Sequence, residues 1–542
     1  MVDRPVTILP ISLPTHGTET VAVDDTASLS RRAGTVGGLT LLSRIAGLAR
    51  DVVIAYAFGT KATADAFYVA FRIPNLMRRL LAEGAFTMAF VPVYAEYKRK
   101  SPADARQACD AIFTALLILL VVLVGVGMLA APWIVKLIAY GFSQDAAKFH
   151  LTVSLTRLMF PYLLLVSLMA LMMAVLNSWR HFAAPAAAPI LLNFAMIGGA
   201  VVAPLWWTEP VYGLGLSVLI GGLLQMAVQF PPLVRRRLMP RLTAAWRHPS
   251  LRQLGRIMLP AVYGSAVYQL NVVMITLLAS FLPTGSVSYL WYADRVTEFP
   301  LGIFAVALST VTLPVLADYR SAGDMANFRA TINHSVRIAL AEAIPSAVGI
   351  IVLASPIVRL LFEGGKFGPA STVGTAGALV FFACGIPFIS GVRNMVPAFY
   401  VLHQAKTPVI AATITLVVNA VLSLLLMGSL QHRGLACAMA VSSTVQFGIL
   451  LIALRRTVGP LGGRKLLRSA CGSLVAAAGM GVVISVAQRW CALDHMMHRV
   501  QLVPAVCGLI LLGVACYMAL LFLVNREEAQ HLIHMVWRLR RK

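Results

Sequence analysis

The sequence predicts an all-α polytopic membrane protein of about fourteen transmembrane helices, built as two pseudo-symmetric six-helix lobes plus two C-terminal helices. Three observations carry this reading. Of 542 residues, 59% are hydrophobic and 12% charged, and the mean hydropathy is +0.81. A soluble domain carries about 25% charged residues. Long apolar segments follow one another from residue 34 to residue 524, and a bilayer core about 30 Å thick takes roughly 20 apolar residues per helix. Features of the first six segments then return, in order, in the next six. The composition excludes a disordered chain, a disulfide scaffold and a string of soluble domains.

Residues 1–32 are polar and Pro/Thr-rich and lack the apolar stretch of a signal peptide, so they read as a disordered cytoplasmic tail. The apolar segments are 34–58, 65–95, 110–140, 151–177, 185–206, 212–234, 254–282, 286–317, 331–361, 372–400, 408–430, 434–454, 466–489 and 500–524. The loops fix their direction. Lys98, Arg99, Lys100 and Arg106 follow the second segment. Arg235, Arg236, Arg237, Arg241 and Arg247 follow the sixth, and Arg455, Arg456, Arg464 and Lys465 the twelfth. Intervening loops such as 206–212 and 282–286 are nearly free of Lys and Arg. Basic loops stay inside, so both termini are predicted to be cytoplasmic, with the amphipathic stretch 527–542 on the inner leaflet. The net charge of +24 and pI near 10.3 then reflect loops facing anionic membrane lipids, not nucleic acid. The seven cysteines form no CxxC pair and read as small buried hydrophobes.

The internal repeat is visible at three places. VPVYAEYK at 91–98 matches LPVLADYR at 313–320. Gly213-Leu214 with Gln225 returns as Gly434-Leu435 with Gln446, and Pro161 with Asn193 as Pro387 with Asn419. Duplication of a six-helix unit keeps both halves in one orientation, with a cleft between them. The predicted domains are 1–32 (tail), 33–235 (N-lobe), 236–456 (C-lobe), 457–525 (two appended helices) and 526–542 (basic tail).

Charge at bilayer depth costs at least about 2.5–3.5 kcal/mol on insertion scales, and most segments avoid it. The first two do not: they carry Ser43, Arg44, Arg50, Asp51, Asp65, Arg72, Asn75, Arg78, Arg79 and Glu83. The eighth carries Asp294, Arg295 and Glu298. Arg44 and Asp51 share one helix face, as do Arg295 and Glu298. Asn75, Arg78 and Arg79 cluster at helical spacing. Pro74 and Pro300 interrupt the two helices. Arg72, Arg79 and Glu83 also suit snorkelling at the interface. Several arginines without matching carboxylates point to an anionic ligand, and the guanidinium fork suits phosphate oxygens, so a phosphate or pyrophosphate headgroup is expected. Ser442, Ser443 and Thr444 are placed to bond across helices. FEGGKFG at 362–368 lacks the context of a phosphate loop and reads as an external turn. His495-x-x-His498 and His531-x-x-His534 have helical spacing but no nearby set of carboxylates or cysteines that would complete a site, so no metal and no cofactor is expected.

SRIAGLARD at 43–51, FGTKATADAFYVAFRIPNLMRRLLAEGAFTMAFVPVYAEYK at 58–98 and WYADRVTEFPLGIFAVALSTVTLPVLADY at 291–319 closely resemble the MurJ/MviN family of lipid II flippases, from about residue 34 to the C-terminus. The resemblance implies the fold of the multidrug/oligosaccharidyl-lipid/polysaccharide exporter superfamily, with an alternating-access cavity between two lobes. It implies that Arg44, Arg50, Arg78 and Arg295, with Asn75 and Ser43, bind substrate, and that Asp51, Asp65, Asp294 and Glu298 serve as gating or ion-pair residues. The last two helices would form a groove for the lipid tail. Some members of the family bind sodium between helices 7 and 11; here Asn271 and Asn419 are polar, but no carboxylate accompanies them.

The activity so implied is movement of undecaprenyl-pyrophosphate-linked disaccharide-pentapeptide across the bacterial cytoplasmic membrane for peptidoglycan synthesis, cell-wall biogenesis and cell shape, by a monomer. The alternative is a drug or polysaccharide-lipid exporter of the same superfamily. A drug exporter for cations should carry unpaired acids in its cavity, and this chain shows excess arginine. An intramembrane enzyme would need convergent acids or a nucleophile–base pair, which the sequence does not display.

Overall fold

The computed structural model describes residues 19–79, 86–245, 247–302, 306–491 and 499–530. Among the described residues, every predicted apolar segment falls largely on helix. The first third comprises α1 (Glu19–Phe58), α2 (Ala62–Met77), α3 (Thr87–Lys100), α4 (Pro102–Leu129), α5 (Ala131–Ile138), α6 (Ala146–Met159) and α7 (Tyr162–Ser178). The chain continues through α8 (Ala183–Trp206), α9 (Pro210–Ala227), α10 (Phe230–Arg235), α11 (Pro249–Ser280), α12 (Ser286–Pro300) and α13 (Val306–Ser321). It then forms α14 (Met325–Val352), α15 (Ala354–Phe362), α16 (Pro369–Val401), α17 (Lys406–Leu430), α18 (His432–Val458), α19 (Gly463–Trp490) and α20 (Arg499–Val524).

Local chemistry explains the ends and breaks. Ser101 caps α4 by accepting from the Asp104 N–H at 3.0 Å, with Pro102 in the first turn. Asp145 caps α6 and Asp324 caps α14 in the same way. α1 begins at Glu19, inside the stretch read as tail; residues 19–32 contain neither Pro nor Gly to stop a helix. Pro74 and Pro300 each lie just before a wider π-type turn, at 78–79 and 301–302. Two predicted segments, 110–140 and 331–361, are each split by a sharp corner into a long helix and a short one, α4/α5 and α14/α15.

Among the described residues ten helices, counting α6 with α7 and α9 with α10 as single spans, are long and apolar enough to cross a membrane. α1, α2 and α12, which carry the charged residues singled out above, are not among them. The outer helices turn apolar side chains outward: Leu129, Trp206 and Leu523 are each 80% exposed. In water such a surface would drive aggregation, whereas hydrocarbon is its natural solvent. The cysteines follow the same inside-out rule. Only Cys109 is buried, Cys437 and Cys516 are half-buried, and Cys384, Cys471, Cys491 and Cys507 are exposed, which corrects the expectation of seven buried thiols. Ser442, Ser443 and Thr444 bond back to the carbonyls of Met439 and Ala440 on their own helix, not across helices.

Small residues let the helices approach closely. A side chain at Gly213 would collide with Ala203, and α8 packs along α9 through this contact. α8 also lies on α1, as α17 lies on α18 and α11. The two asparagines of the repeat occupy matching places there. Asn193 of α8 donates to the Ser43 carbonyl of α1 at 3.1 Å, and Asn419 of α17 donates to Asn271 of α11 at 2.7 Å.

Candidate functional site

The site is the seam between α2 and α12. One end is closed by a dense set of bonds. Asp65, in the first turn of α2, is 1% exposed. Its Oδ1 accepts from the Ser288 N–H at 3.0 Å and the Ser288 hydroxyl at 2.7 Å, and its Oδ2 from the Gly285 N–H at 2.8 Å. α12 starts after Gly285, whose φ of 99° suits glycine and which offers no side-chain cap. The carboxylate of another helix therefore supplies the missing acceptor at a positive helix end. Lys148 of α6 completes the group, with Nζ 2.9 Å from Asp65 Oδ2 and 4.0 Å above the Phe142 ring.

The neighbouring loops reinforce this end. The Thr60 and Ser371 hydroxyls lie 2.7 Å apart, and the Lys366 N–H donates to the Tyr56 carbonyl at 2.9 Å. Residues 362–368 form a tight turn closed by a Gly364–Phe367 bridge. It presses so closely on the end of α1 that a side chain at Gly59 would strike the Lys366 carbonyl, and one at Gly365 the Tyr56 carbonyl.

One turn further along α2, the buried Tyr68 hydroxyl donates to the Tyr292 hydroxyl at 2.8 Å, and Tyr292 donates to the Gly59 carbonyl at 3.4 Å. Trp291 stacks on Tyr68 with ring centroids 4.7 Å apart. The guanidinium groups of Arg72 and Arg295 lie 5.3 Å and 4.9 Å from the Trp291 ring. Arg72 also bonds the Thr276 hydroxyl of α11. Beyond this aromatic layer the charges gather: Asp294, Arg295 and Arg79 all act on the Arg72 charge. Arg295 pairs with Glu298 at 2.7 Å and lies 3.7 Å from Asp294. Arg78 donates twice to Asn75 Oδ1, at 3.0 and 2.8 Å.

The α1 residues occupy a flank of the seam. Arg50 donates to Asp51 Oδ1 at 3.0 and 2.8 Å and to Asn193 Oδ1 at 3.1 Å. Asp51 is 1% exposed and close enough to act on Tyr68 and Tyr292. The Arg44 guanidinium packs against the backbone of Gly302 in the break after α12, where any side chain would displace it. The structure thus brings Arg72, Arg79, Asp294, Arg295 and Glu298 together, sets Asn75 with Arg78 beside the π-type turn, and keeps Asp65 at the closed end. The expectation of arginines without matching carboxylates changes accordingly. Arg50 and Arg295 hold carboxylates of their own helix, because a guanidinium at this depth takes whatever acceptor its stem can reach. Glu83, His495, His498, His531 and His534 lie outside the described residues, as does most of 526–542.

Sequence reasoning did not single out Lys148, Tyr68, Tyr292, Thr60, Ser288 or Ser371. Lys148 carried only a weak signal: it sits just ahead of the segment read as 151–177, in a stretch where His150 and Arg157 also interrupt the apolar residues. Away from the seam, an apolar groove of about 400 Å³ runs between α14 and α19, lined by Val348, Val352, Gly481, Val482 and Val486, with Arg489 at one end.

Residues 54–503 match the family model described as lipid II flippase MurJ. The chain belongs to the MurJ lipid II flippase family. Among curated MurJ proteins, it is 37% identical to the lipid II flippase MurJ of Burkholderia cenocepacia over 518 residues, covering 93% of this chain and 98% of that one. It is also 37% identical to a probable lipid II flippase MurJ of Rhizobium tropici over 505 residues, with 92% and 95% covered. Among solved structures, a lipid II flippase MurJ in an inward closed conformation superposes with a TM-score of 0.77 at 26% identity, covering 91% of this chain and 99% of that one. An inward-facing multidrug resistance MATE family transporter of the MOP superfamily shares the fold, with a TM-score of 0.66 at 13% identity, covering 80% and 99%. This MurJ-family chain is therefore an all-helical, multi-pass membrane protein of the transporter type.

Proposed function

We propose that this chain moves lipid II, the undecaprenyl-pyrophosphate-linked disaccharide-pentapeptide, from the inner to the outer leaflet of the bacterial cytoplasmic membrane by alternating access. The observation that carries the reading is the arginine-rich layer on α2 and α12 behind a bonded seal, in a chain of the MurJ family. In this reading the chain spans the membrane fourteen times with both termini inside. An N-lobe (33–235) and a C-lobe (236–456) face each other across the seam, and 457–525 forms an appended pair of helices. The Asp65–Ser288 end is the outer gate. Basic loops and the tail 526–542 lie against anionic lipids, and the protein works as a monomer without a catalytic step.

Arg44, Arg50, Arg78 and Arg295, with Asn75 and Ser43, take the headgroup. The pairs Arg50–Asp51 and Arg295–Glu298 hold the guanidinium groups in place until pyrophosphate oxygens replace the carboxylates. A charge held by its own helix becomes available at little cost when a stronger bidentate acceptor arrives. An anion gripped from both lobes favours closing the cleft around it, and its release outside favours reopening, the differential affinity that alternating access needs. The α14–α19 groove supports placing the prenyl tail along the nineteenth helix, on its α14 side.

The test is complementation in a bacterium depleted of its own flippase, with lipid II on each leaflet measured. Restored growth and restored outer-leaflet lipid II are expected. Lysis with lipid II held on the inner leaflet, despite normal protein in the membrane, would overturn the reading.

A further inference from the structure

Glu342 has no role in the site described. It lies near the middle of α14, a helix apolar enough to cross a membrane. Its Oε1 is buried and accepts no hydrogen bond. The carboxyl borders a cavity of about 10 Å³ whose other walls are Pro300 and Leu301 at the break after α12, Ala343 and Ser346 of α14, and Ile386 and Ser390 of α16. That space is about one water molecule in size.

The surroundings offer Glu342 no counter-charge. Titratable groups on the helices packed on α14 include Tyr319 and Arg320 on α13, Arg359 on α15, Cys384 and Arg393 on α16, Arg489 on α19 and Tyr517 on α20, and α12, whose last residue borders the cavity, carries Glu298. Three of these are engaged elsewhere: Arg393 donates to the Leu301 carbonyl at 3.5 Å, Arg359 lies 3.6 Å from Glu363, and the Tyr517 hydroxyl donates to the Ala341 carbonyl at 2.6 Å. Among the described residues none forms an ion pair or hydrogen bond with the Glu342 carboxyl. One turn from Ser390, Asn394 is 1% exposed and its Oδ1 also accepts no hydrogen bond. An ionised carboxylate so placed would be both desolvated and unpaired, the costliest arrangement for a charge. One carboxylate with two serine hydroxyls is a poor ligand set for a metal cation, whereas a single proton removes the charge outright.

We propose that Glu342 is a proton-binding site inside the helix bundle, occupied in this conformation and coupled to the break at 301–302 that follows α12. The cavity wall at Pro300 and Leu301 is part of that break, and Arg44 packs on the next residue, Gly302. A conformation that moves the break away opens the cavity to water and lets the carboxyl ionise. Proton binding therefore favours the arrangement seen here, and proton loss favours the other. The coupling half of the proposal rests on the flippase reading; the binding half does not.

The test for binding uses the full-length chain in liposomes treated with dicyclohexylcarbodiimide, which modifies protonated carboxyls in apolar surroundings. The modified residue is identified by peptide mass spectrometry. Modification of Glu342 is expected, falling about tenfold or more between about pH 5 and pH 9 and unchanged when sodium replaces choline. No modification at the acid end, equal modification at both ends, or protection by sodium at fixed pH would each overturn the proton site. The coupling test measures flipping of labelled lipid II over the same range. The native chain is expected to change rate about threefold or more, and Glu342→Gln less than about twofold. Glu342→Leu, with no polar group to bury, should behave as the Gln variant does. A native pH response in either variant overturns the coupling. A native chain that flips nothing at any pH counts against the flippase reading, and the labelling result alone then decides the proton site.

Discussion

Asp65 and Ser288 lie 223 residues apart in sequence, yet Asp65 caps the first turn of α12 through both the N–H and the hydroxyl of Ser288. The same carboxylate holds Lys148. Asp65→Ala should leave Lys148 buried without a partner, a loss of about 3–5 kcal/mol by analogy with broken buried pairs. Thermal unfolding of the purified protein measures it. Asp65→Ala with Lys148→Met should recover part of the stability, because no unpaired charge remains.

The Thr60 and Ser371 hydroxyls touch across the closed end. Cysteines at both positions, in a chain whose native cysteines are replaced, should form a disulfide on mild oxidation. If this end must open during transport, the bridge should stop flipping and a reductant should restore it. Undiminished transport by the fully oxidised protein would show that this end does not open.

Arg295 and Arg78 stand on opposite helices of the seam. Charge-assisted bonds contribute about 1.5–3 kcal/mol each, so alanine at either should weaken headgroup binding roughly tenfold or more and abolish complementation at normal protein level. Lysine should rescue partly, since charge stays and the fork is lost. Arg50→Ala should behave like Arg295→Ala, and Arg99→Ala, remote from the seam, should be nearly neutral. Normal growth of the Arg50→Ala, Arg295→Ala double variant would remove the headgroup role.

Arg337 of α14 is paired with Glu528, which is fully buried and also accepts from Ser469 of α19 at 2.9 Å. This pair ties the segment after α20 to α14 and α19. Arg337→Ala should lower the unfolding temperature by several degrees, as expected for a buried charge left unpaired in a large domain. Glu528→Gln should cost less, since the amide oxygen still accepts.

Helix positions were readable from the apolar segments because lipid demands length and apolarity of most spans. The helices that break the rule were readable too, since Arg50, Asp51, Asp65 and Arg295 stand out against so little charge. The partners were not readable. Lys148 and Asp65 are 83 residues apart, and Gly285 and Asp65 are 220 apart, distances over which no periodicity speaks. Arg50 and Asp51 are sequence neighbours whose side chains leave a helix in different directions. Only the long guanidinium stem, curling back, makes them a pair. Arg44 and Asp51, placed on one face by their spacing, go separate ways: Arg44 to the Gly302 backbone and Asp51 to Arg50.

The clasp between the end of α1 and the 362–368 turn is made main chain to main chain, from the Lys366 N–H to the Tyr56 carbonyl. Tyr56 is 55% exposed, and Lys366 is exposed as well. Evolution is therefore free to rewrite the two large residues, since neither side chain carries the bond. Gly59 and Gly365, which contribute no side chain, admit no substitute without prising the strands of the clasp apart. Mutational tolerance here runs opposite to residue size, and an inhibitor wedged between those two glycines would have little room for escape by substitution.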